Sequence, residues 1–264
     1  MDLGIEGRWG IVCASSQGLG RACAEALVGE GVNVVINGRD PARLEQAATE
    51  LRELTAKDAT GAEVVAVAAD LTDPAGRRAL LDAFPEPDIL VTNNAGPKPG
   101  TLDQIGDEDF ARALELHYWA PITLLRAVLG GMRARRFGRV VNITSAMVTT
   151  PRQVMVASAG ARAGLTAVMK AISRDVVADN VTINNLLPER IDSGRQLQVA
   201  RVEMERHGIT FEEARRRQAA SIAAGRLGLP SELGAACAFL CSVHAGYISG
   251  VNLHLDGGSY PGLV

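Results

Sequence analysis

The sequence predicts an α/β fold, a single doubly wound domain on a mainly parallel sheet of seven strands. Three observations predict it. Short, continuously apolar runs recur along the 264 residues, segments of helical period stand between them, and no Pro-, Gly- or Ser-rich linker divides the chain. A strand apolar at every position is buried on both faces, and helices are what cover such a sheet.

Each element follows in order. "GIVCA" (10–14) reads as a buried strand. After it Leu19, Ala22, Cys23, Ala26 and Leu27 recur at helical spacing, and Gly31 ends the helix. "VNVVI" (32–36) is a second strand. Asp40 then serves as N-cap before a first-turn proline, Pro41, and Leu44, Ala47, Ala48 and Leu51 form one apolar face. Further strands are predicted at 64–68, 89–92, 140–144, 182–187 and 251–255, mostly with helical segments between them. The charged stretch 193–225 breaks this rhythm.

Composition narrows the function. With 47% hydrophobic residues the chain can bury a sizeable core, and a net charge of −3 offers no footprint for nucleic acid. The four cysteines, Cys13, Cys23, Cys237 and Cys241, lack disulfide or zinc spacing; Cys237 and Cys241 stand one helical turn apart, as core thiols in a reducing compartment would. The four histidines suggest no metal cluster. The N-terminal stretch lacks a signal-peptide pattern and no apolar run is long enough to span a membrane, so a cytoplasmic protein is expected.

In an open parallel sheet, ligands bind beyond the carboxyl ends of the strands. The first such loop is "CASSQGLG" (13–20). A lone glycine-rich match is weak, but this one leaves a strand and opens a helix, the context of a dinucleotide-binding turn in a Rossmann-type domain. Gly18 and Gly20 would let the backbone approach a pyrophosphate, and the helix N-terminus would supply N–H groups. A purely structural turn is the competing account.

These residues, with "AADL", "NNAG", "NLLPERI", "AGRLGLPSELG" and "VNLHLDGG" further on, resemble the short-chain dehydrogenases/reductases over nearly the whole chain. The departures are specific. Ala14 stands where that family has the first glycine of its loop, and Glu189 where it has the glycine after Pro188. The resemblance implies cofactor contacts from Ala14, Ser15, Ser16, Gly18, Leu19 and Gly20 in the first loop. It implies further contacts from Asn37 and Arg39, from Asp70 and Leu71, from Asn94, Ala95 and Gly96, and from Arg162, Pro188 and Ile191. At the end of the second strand a carboxylate would mark NAD, whereas an arginine accommodates the 2′-phosphate of NADP. Here Asn37, Gly38 and Arg39 occupy that place and Asp40 is explained as a cap, so NADP(H) is expected. A solvated surface charge is the bland alternative for Arg39.

The family's chemistry rests on Ser, Tyr and Lys, with an Asn on the preceding long helix. Ser145 in "VVNITSA" matches the serine. Counting thirteen on from it, the place of the tyrosine, reaches Ser158; four more, the place of the lysine, reaches Arg162, and Ala163-Gly164-Leu165 follows as the family's pattern requires. Tyr-x-x-x-Lys has become Ser-x-x-x-Arg, and His117 aligns with the asparagine. A phenol can be tuned for acid–base work by a neighbouring cation, whereas an aliphatic hydroxyl cannot, and arginine does not release its proton. His117 is the one group of the four that titrates near neutrality, so by elimination it is the expected proton donor, through the hydroxyls or water, with activity falling as the imidazolium is lost at alkaline pH. A structural histidine is the other account. Tyr260 would reach a site only through a partner subunit.

Two functions stay open from the sequence. One is an NADP(H)-dependent oxidoreductase acting on a small carbonyl or secondary alcohol. The other is a catalytically silent nucleotide-binding or regulatory relative. The small residues from Ala157 to Gly164 suit close packing, and the resemblance implies a homo-oligomer, dimer or tetramer, with 193–225 as a substrate lid. Lys98 and Arg152 hint at an anionic or polar substrate. The basic run 133–139 is read first as dipole partners at a helix end, with carrier-protein docking, known among the family's oxoacyl reductases, as a minor option. Neither a nucleic-acid nor a membrane partner is expected.

Overall fold

The computed structural model describes residues 1–263. Seven strands alternate with helices along the chain: β1 (Trp9–Val12), α1 (Gly18–Gly29), β2 (Asn33–Gly38), α2 (Pro41–Lys57), β3 (Val64–Ala68), α3 (Pro74–Ala83) and β4 (Ile89–Thr92). The second half continues with α4 (Asp107–Leu114), α5 (Ala120–Ala134), β5 (Gly138–Ile143), α6 (Val156–Val176), β6 (Val181–Pro188), α7 (Gly194–His207), α8 (Phe211–Ala220), α9 (Pro230–Cys241) and β7 (Asn252–Leu255). The strand order is β3-β2-β1-β4-β5-β6-β7, and every neighbouring pair is parallel. The order reverses at β1/β4, the topological switch point at which open α/β sheets bind ligands.

Alternation along the strands divides the core. Val34 and Ile36 face one layer with Leu27, Leu44, Leu51 and Leu240. Val35 faces the other with Leu80, Leu124, Val140 and Met169. All four cysteines are free and buried, and burial pushes the Cys13 thiol up to about 12. Helix α2 starts as its sequence implies: the Asp40 carboxylate accepts from the N–H groups of Ala42 and Arg43, and Pro41 occupies the first turn.

A polar ladder crosses the buried sheet. Thr92 Oγ1 donates to Asn142 Oδ1 (2.7 Å), Asn142 Nδ2 to Asn185 Oδ1 (3.0 Å) and Asn185 Nδ2 to Asn252 Oδ1 (2.9 Å). These residues are register partners across β4, β5, β6 and β7. Asparagine is a poor strand former, and a buried amide left unpaired is costly. The ladder therefore penalises any slip of the strands that carry the site. No described helix is long and apolar enough to cross a membrane.

Candidate active site

The loop after β1 is built by the backbone. Ala14 turns with φ +46°, so the strand ends at Val12 rather than at Ala14 as its apolar run implied. A left-handed non-glycine residue costs about 1–2 kcal/mol. Two amides hold it there: Asn37 Oδ1 accepts from Ala14 N–H, and Asn93 Nδ2 donates to Ala14 O. Gly18 follows at φ +62° with open space beside it. A Cβ on Gly20 would overlap the carbonyl oxygen of Ala14 and lie 2.8 Å from that of Cys13. Gln17, the N-cap of α1, makes no side-chain bond to the helix, so the first-turn N–H groups of Gly18 and Leu19 face outward without a side-chain cap. These features fit a dinucleotide pyrophosphate.

Two residues expected at the cofactor have their side chains tied into the scaffold. Ser15 is fully buried; its hydroxyl donates to Val12 O (2.7 Å) and accepts from Asn37 N–H. Asn37 spends its Nδ2 on Val67 O and Ala69 O and its oxygen on Ala14 N–H, which leaves no amide hydrogen for a ribose. Neither was legible as scaffold because Ser15 and Asn37 meet only across the ends of two strands. The Leu71 side chain is likewise in the core, so only its backbone is available to a ligand.

Beyond β2, exposed Arg39 has Nη1 3.8 Å from Asp70 Oδ2, and Arg112 approaches the same oxygen at 3.7 Å. Asp70 Oδ1 also accepts from Thr72 N–H and Oγ1–H. Against the cost of burial, those hydrogen bonds and the two guanidinium charges hold its carboxyl below the usual range. Arg43 adds a cation the sequence reading missed: its Nη1 donates to Gln17 Oε1 (3.1 Å) beside a cleft shared with Ser16 and Gln46. The signal was present as a second arginine in "GRDPARL", three residues after the cap.

The reaction end is made of side chains. Ser145 is 8% exposed, caps a short 3₁₀ turn (Ala146–Val148) and accepts from Met147 N–H, which leaves its own proton to donate. Ser158 and Arg162 lie one turn apart on α6, hence on one face. Ser158 is 1% exposed, and its Oγ has no hydrogen-bond partner among the described residues; nor has the buried Nε of Arg162. No carboxylate lies within ion-pair distance of Arg162 among those residues. Burial, with the charge of Arg195 nearby, brings its pKa down to about 10, so it stays cationic at neutral pH. Arg162 opens on a cleft with Thr92, Asn93, Asn94, His117 and Thr144.

His117 sits on a π-helical turn (Glu115–Trp119) between α4 and α5. There Ala120 N–H bonds to Glu115 O, and Pro121 has no N–H to offer Leu116. The freed Leu116 carbonyl accepts from Asn94 Nδ2 (3.4 Å), which ties the "NNAG" loop to the turn carrying His117. His117 Nε2 lies 3.4 Å from Arg162 Nη2, in the geometry of an imidazole nitrogen accepting from the guanidinium. Burial and that charge push its pKa well below the ordinary 6.5. Both causes weigh against an imidazolium donor at this place, and residue type alone does not reveal a depression caused by packing.

Other expected groups are accounted for. Lys98 lies 3.5 Å from Asp109 and Arg152 2.9 Å from half-buried Glu189. In the basic run, Arg139 is buried and bonds Ser242 O, Gly138 O and Asn180 O, while Arg133 and Arg136 pair with Asp179. Tyr260 folds back within its own chain and stacks on His254, centroids 4.2 Å apart. His254 lies 3.5 Å from Thr149 Oγ1 and 3.6 Å from Asp256 Oδ2. Pro188 and Ile191 flank the end of β6, Ile191 buried and paired with Gly228. Ala95 N–H donates to Asn94 Oδ1, and Gly96 stands in open space.

Comparisons with known proteins agree with this architecture. The family model described as enoyl-(acyl carrier protein) reductase matches residues 13–260. The 3-oxoacyl-[acyl-carrier-protein] reductase FabG of Escherichia coli K12 is 31% identical over 262 residues, covering 98% of this chain and 99% of the relative. The L-sorbose reductase of Gluconobacter frateurii, solved with NADPH and L-sorbose, superimposes with TM-score 0.92 at 30% identity, each chain covered fully. A 3-oxoacyl (acyl-carrier-protein) reductase of Agrobacterium tumefaciens C58, solved with NADP, gives TM-score 0.85 at 30% identity, covering 97% and 96%.

Proposed function

The chain belongs to the short-chain dehydrogenase/reductase family, and we propose that it is an NADP(H)-dependent oxidoreductase moving a hydride between nicotinamide and a carbonyl or secondary alcohol. The dinucleotide end carries this reading. The outward N–H groups at the start of α1 take the pyrophosphate, and Arg39 and Arg43 frame the 2′-phosphate, the nearby carboxylates of Asp70 and Glu50 each lying within ion-pair distance of an arginine. Asp70 and the Leu71 backbone meet the adenine. Asn94, Ala95, Gly96, Pro188 and Ile191 line the remaining length toward the nicotinamide. The relatives solved with NADPH or NADP support the same choice.

In this reading Ser145 donates to the substrate oxygen, Ser158 and Arg162 complete an atypical set, and His117 orients the guanidinium rather than supplying a proton. The pair α7 and α8 acts as substrate lid, held by Arg215 to Asp192 and by Gln218 to Gln196 O. Exposed small residues of α6, Gly160, Ala163 and Ala167, suit a homo-oligomer. The silent alternative draws on one observation, that none of the four groups is an acid near neutrality.

The test is fluorescence-detected binding of NADPH and NADH, followed by NADPH oxidation across a carbonyl panel. Arg39→Ala is expected to weaken NADPH about tenfold and leave NADH nearly unchanged. Equal loss for both cofactors refutes the phosphate role. Binding without turnover of any carbonyl establishes the silent protein.

A further inference from the structure

We propose that Arg77 and Glu115 are positioning residues: they strap the turn that carries His117 to the loop 70–72, so that the 2′-phosphate of the dinucleotide sets that turn from a distance. This rests on the NADP(H) reading above and deepens it, because the phosphate gains a role besides affinity.

The first argument is the strap itself. Arg77 stands on α3 and is buried, and its Nη1 donates both to Leu71 O (2.8 Å) and to Glu115 Oε1 (2.5 Å). Leu71 belongs to the loop assigned to adenine, and half-buried Glu115 opens the π-helical turn Glu115–Trp119. Taking a guanidinium and a carboxylate out of water is expensive, and an apolar pair of that volume is often as stable. What the ion pair contributes is an arrangement, the spacing of two loops far apart in the chain.

The second argument is rigidity. Helix α3 sits directly on the loop: a Cβ on Gly76 would overlap Asp70 O, and the Asp73 carboxylate caps the helix by accepting from Ala75 N–H. Arg77 follows Gly76, so a displacement of the loop carries Arg77 with it. At the other end the π turn touches the reaction end twice. Asn94 Nδ2 donates to Leu116 O, and His117 Nε2 meets Arg162 Nη2. What moves Glu115 moves these contacts.

The third argument is competition for Arg39. Asp70 Oδ2 is shared between Arg39 at 3.8 Å, from the end of β2, and Arg112 at 3.7 Å, from the last turn of α4. Arg112 Nη1 also donates to Thr72 Oγ1 (2.8 Å). A phosphate monoester carries about −1.5 to −2 charges at neutral pH and draws Arg39 toward itself. Asp70 is then left to Arg112, and the loop closes on α4, whose last residue precedes Glu115. The two arrangements differ in what holds Arg39, the differential contact a ligand needs in order to shift a conformation.

The test reads Trp119, which ends the π turn and is exposed. The chain's other tryptophan, Trp9, stacks on Phe84 at the start of β1 and is replaced by Trp9→Phe, so that emission reports one residue. Adenosine 2′,5′-bisphosphate, which lacks the nicotinamide half, is titrated into that protein, with adenosine 5′-monophosphate as control and binding measured separately by calorimetry. The bisphosphate is expected to shift Trp119 emission, and the monophosphate at equal occupancy to leave it in place. Arg77→Met should abolish the shift while keeping bisphosphate affinity within about threefold. Arg77→Lys should restore part of the shift, and Glu115→Gln should reduce it. If Arg77→Met does not fold, the other two variants carry the test, and a full shift in both overturns the strap. A full shift in folded Arg77→Met does the same. Bound bisphosphate with Trp119 unmoved in the parent overturns the coupling and leaves the NADP(H) reading intact. An equal shift with the monophosphate removes the 2′-phosphate from the proposal and so overturns it. Absence of bisphosphate binding overturns the NADP(H) reading, and the coupling with it.

Discussion

The two ends of the candidate site are built on opposite principles. At the dinucleotide end the polar groups are satisfied before any ligand arrives, with Asn37, Asn93 and Ser15 each consumed in holding the loop. What this end presents to a ligand is mostly backbone N–H. At the reaction end the opposite holds: Ser158 Oγ and Arg162 Nε are buried and open, and burial beside a guanidinium disfavours the charged form of His117. The difference teaches that a binding surface tolerates side-chain change so long as the backbone path survives, whereas chemistry resides in groups the fold leaves unsatisfied.

The largest test of this contrast is at Gly20. Gly20→Ala puts a Cβ into the Ala14 and Cys13 carbonyls, and overpacking of this kind costs about 3 kcal/mol. Denaturant unfolding should show a loss of that size, with NADPH affinity falling alongside. A variant of wild-type stability and affinity would break the claim that backbone approach builds this end.

A smaller effect is expected from His117, read through pH. Its folded pKa lies below the ordinary 6.5, so as pH falls through about 6.5 the unfolded chain takes up a proton that the folded one refuses. Stability is therefore independent of this group above that pH and declines below it. His117→Asn should flatten the acid limb of Tm between about pH 6.5 and 5. An identical acid limb in both proteins would mean that His117 titrates normally and that the reaction end holds an acid after all.

The smallest effect sharpens the comparison from the other side. Ala14→Gly relieves a left-handed alanine, and the gain is expected to be about 1 kcal/mol, less the backbone entropy that glycine adds to the unfolded chain. A rise in Tm with NADPH affinity kept would show that the amides of Asn37 and Asn93, rather than residue 14, set the loop. A fall would assign the alanine a contact of its own.

What the sequence determined by itself is local or periodic. Strand and helix positions follow from runs and spacing over a few residues, and the capping of α2 from Asp40-Pro41, where cause and effect are neighbours. The glycine loop was legible for the same reason, as was the placing of Ser158 and Arg162 one turn apart, since a count along one helix needs no packing. The tertiary structure decided everything that depends on groups far apart in the chain. It turned Asn37 and Ser15 inward, spent the basic run 133–139 on internal contacts and folded Tyr260 onto His254. Above all it set the charge state of His117, because an ionisation equilibrium responds to burial and to a guanidinium 45 positions away, neither of which is written in the residues beside it.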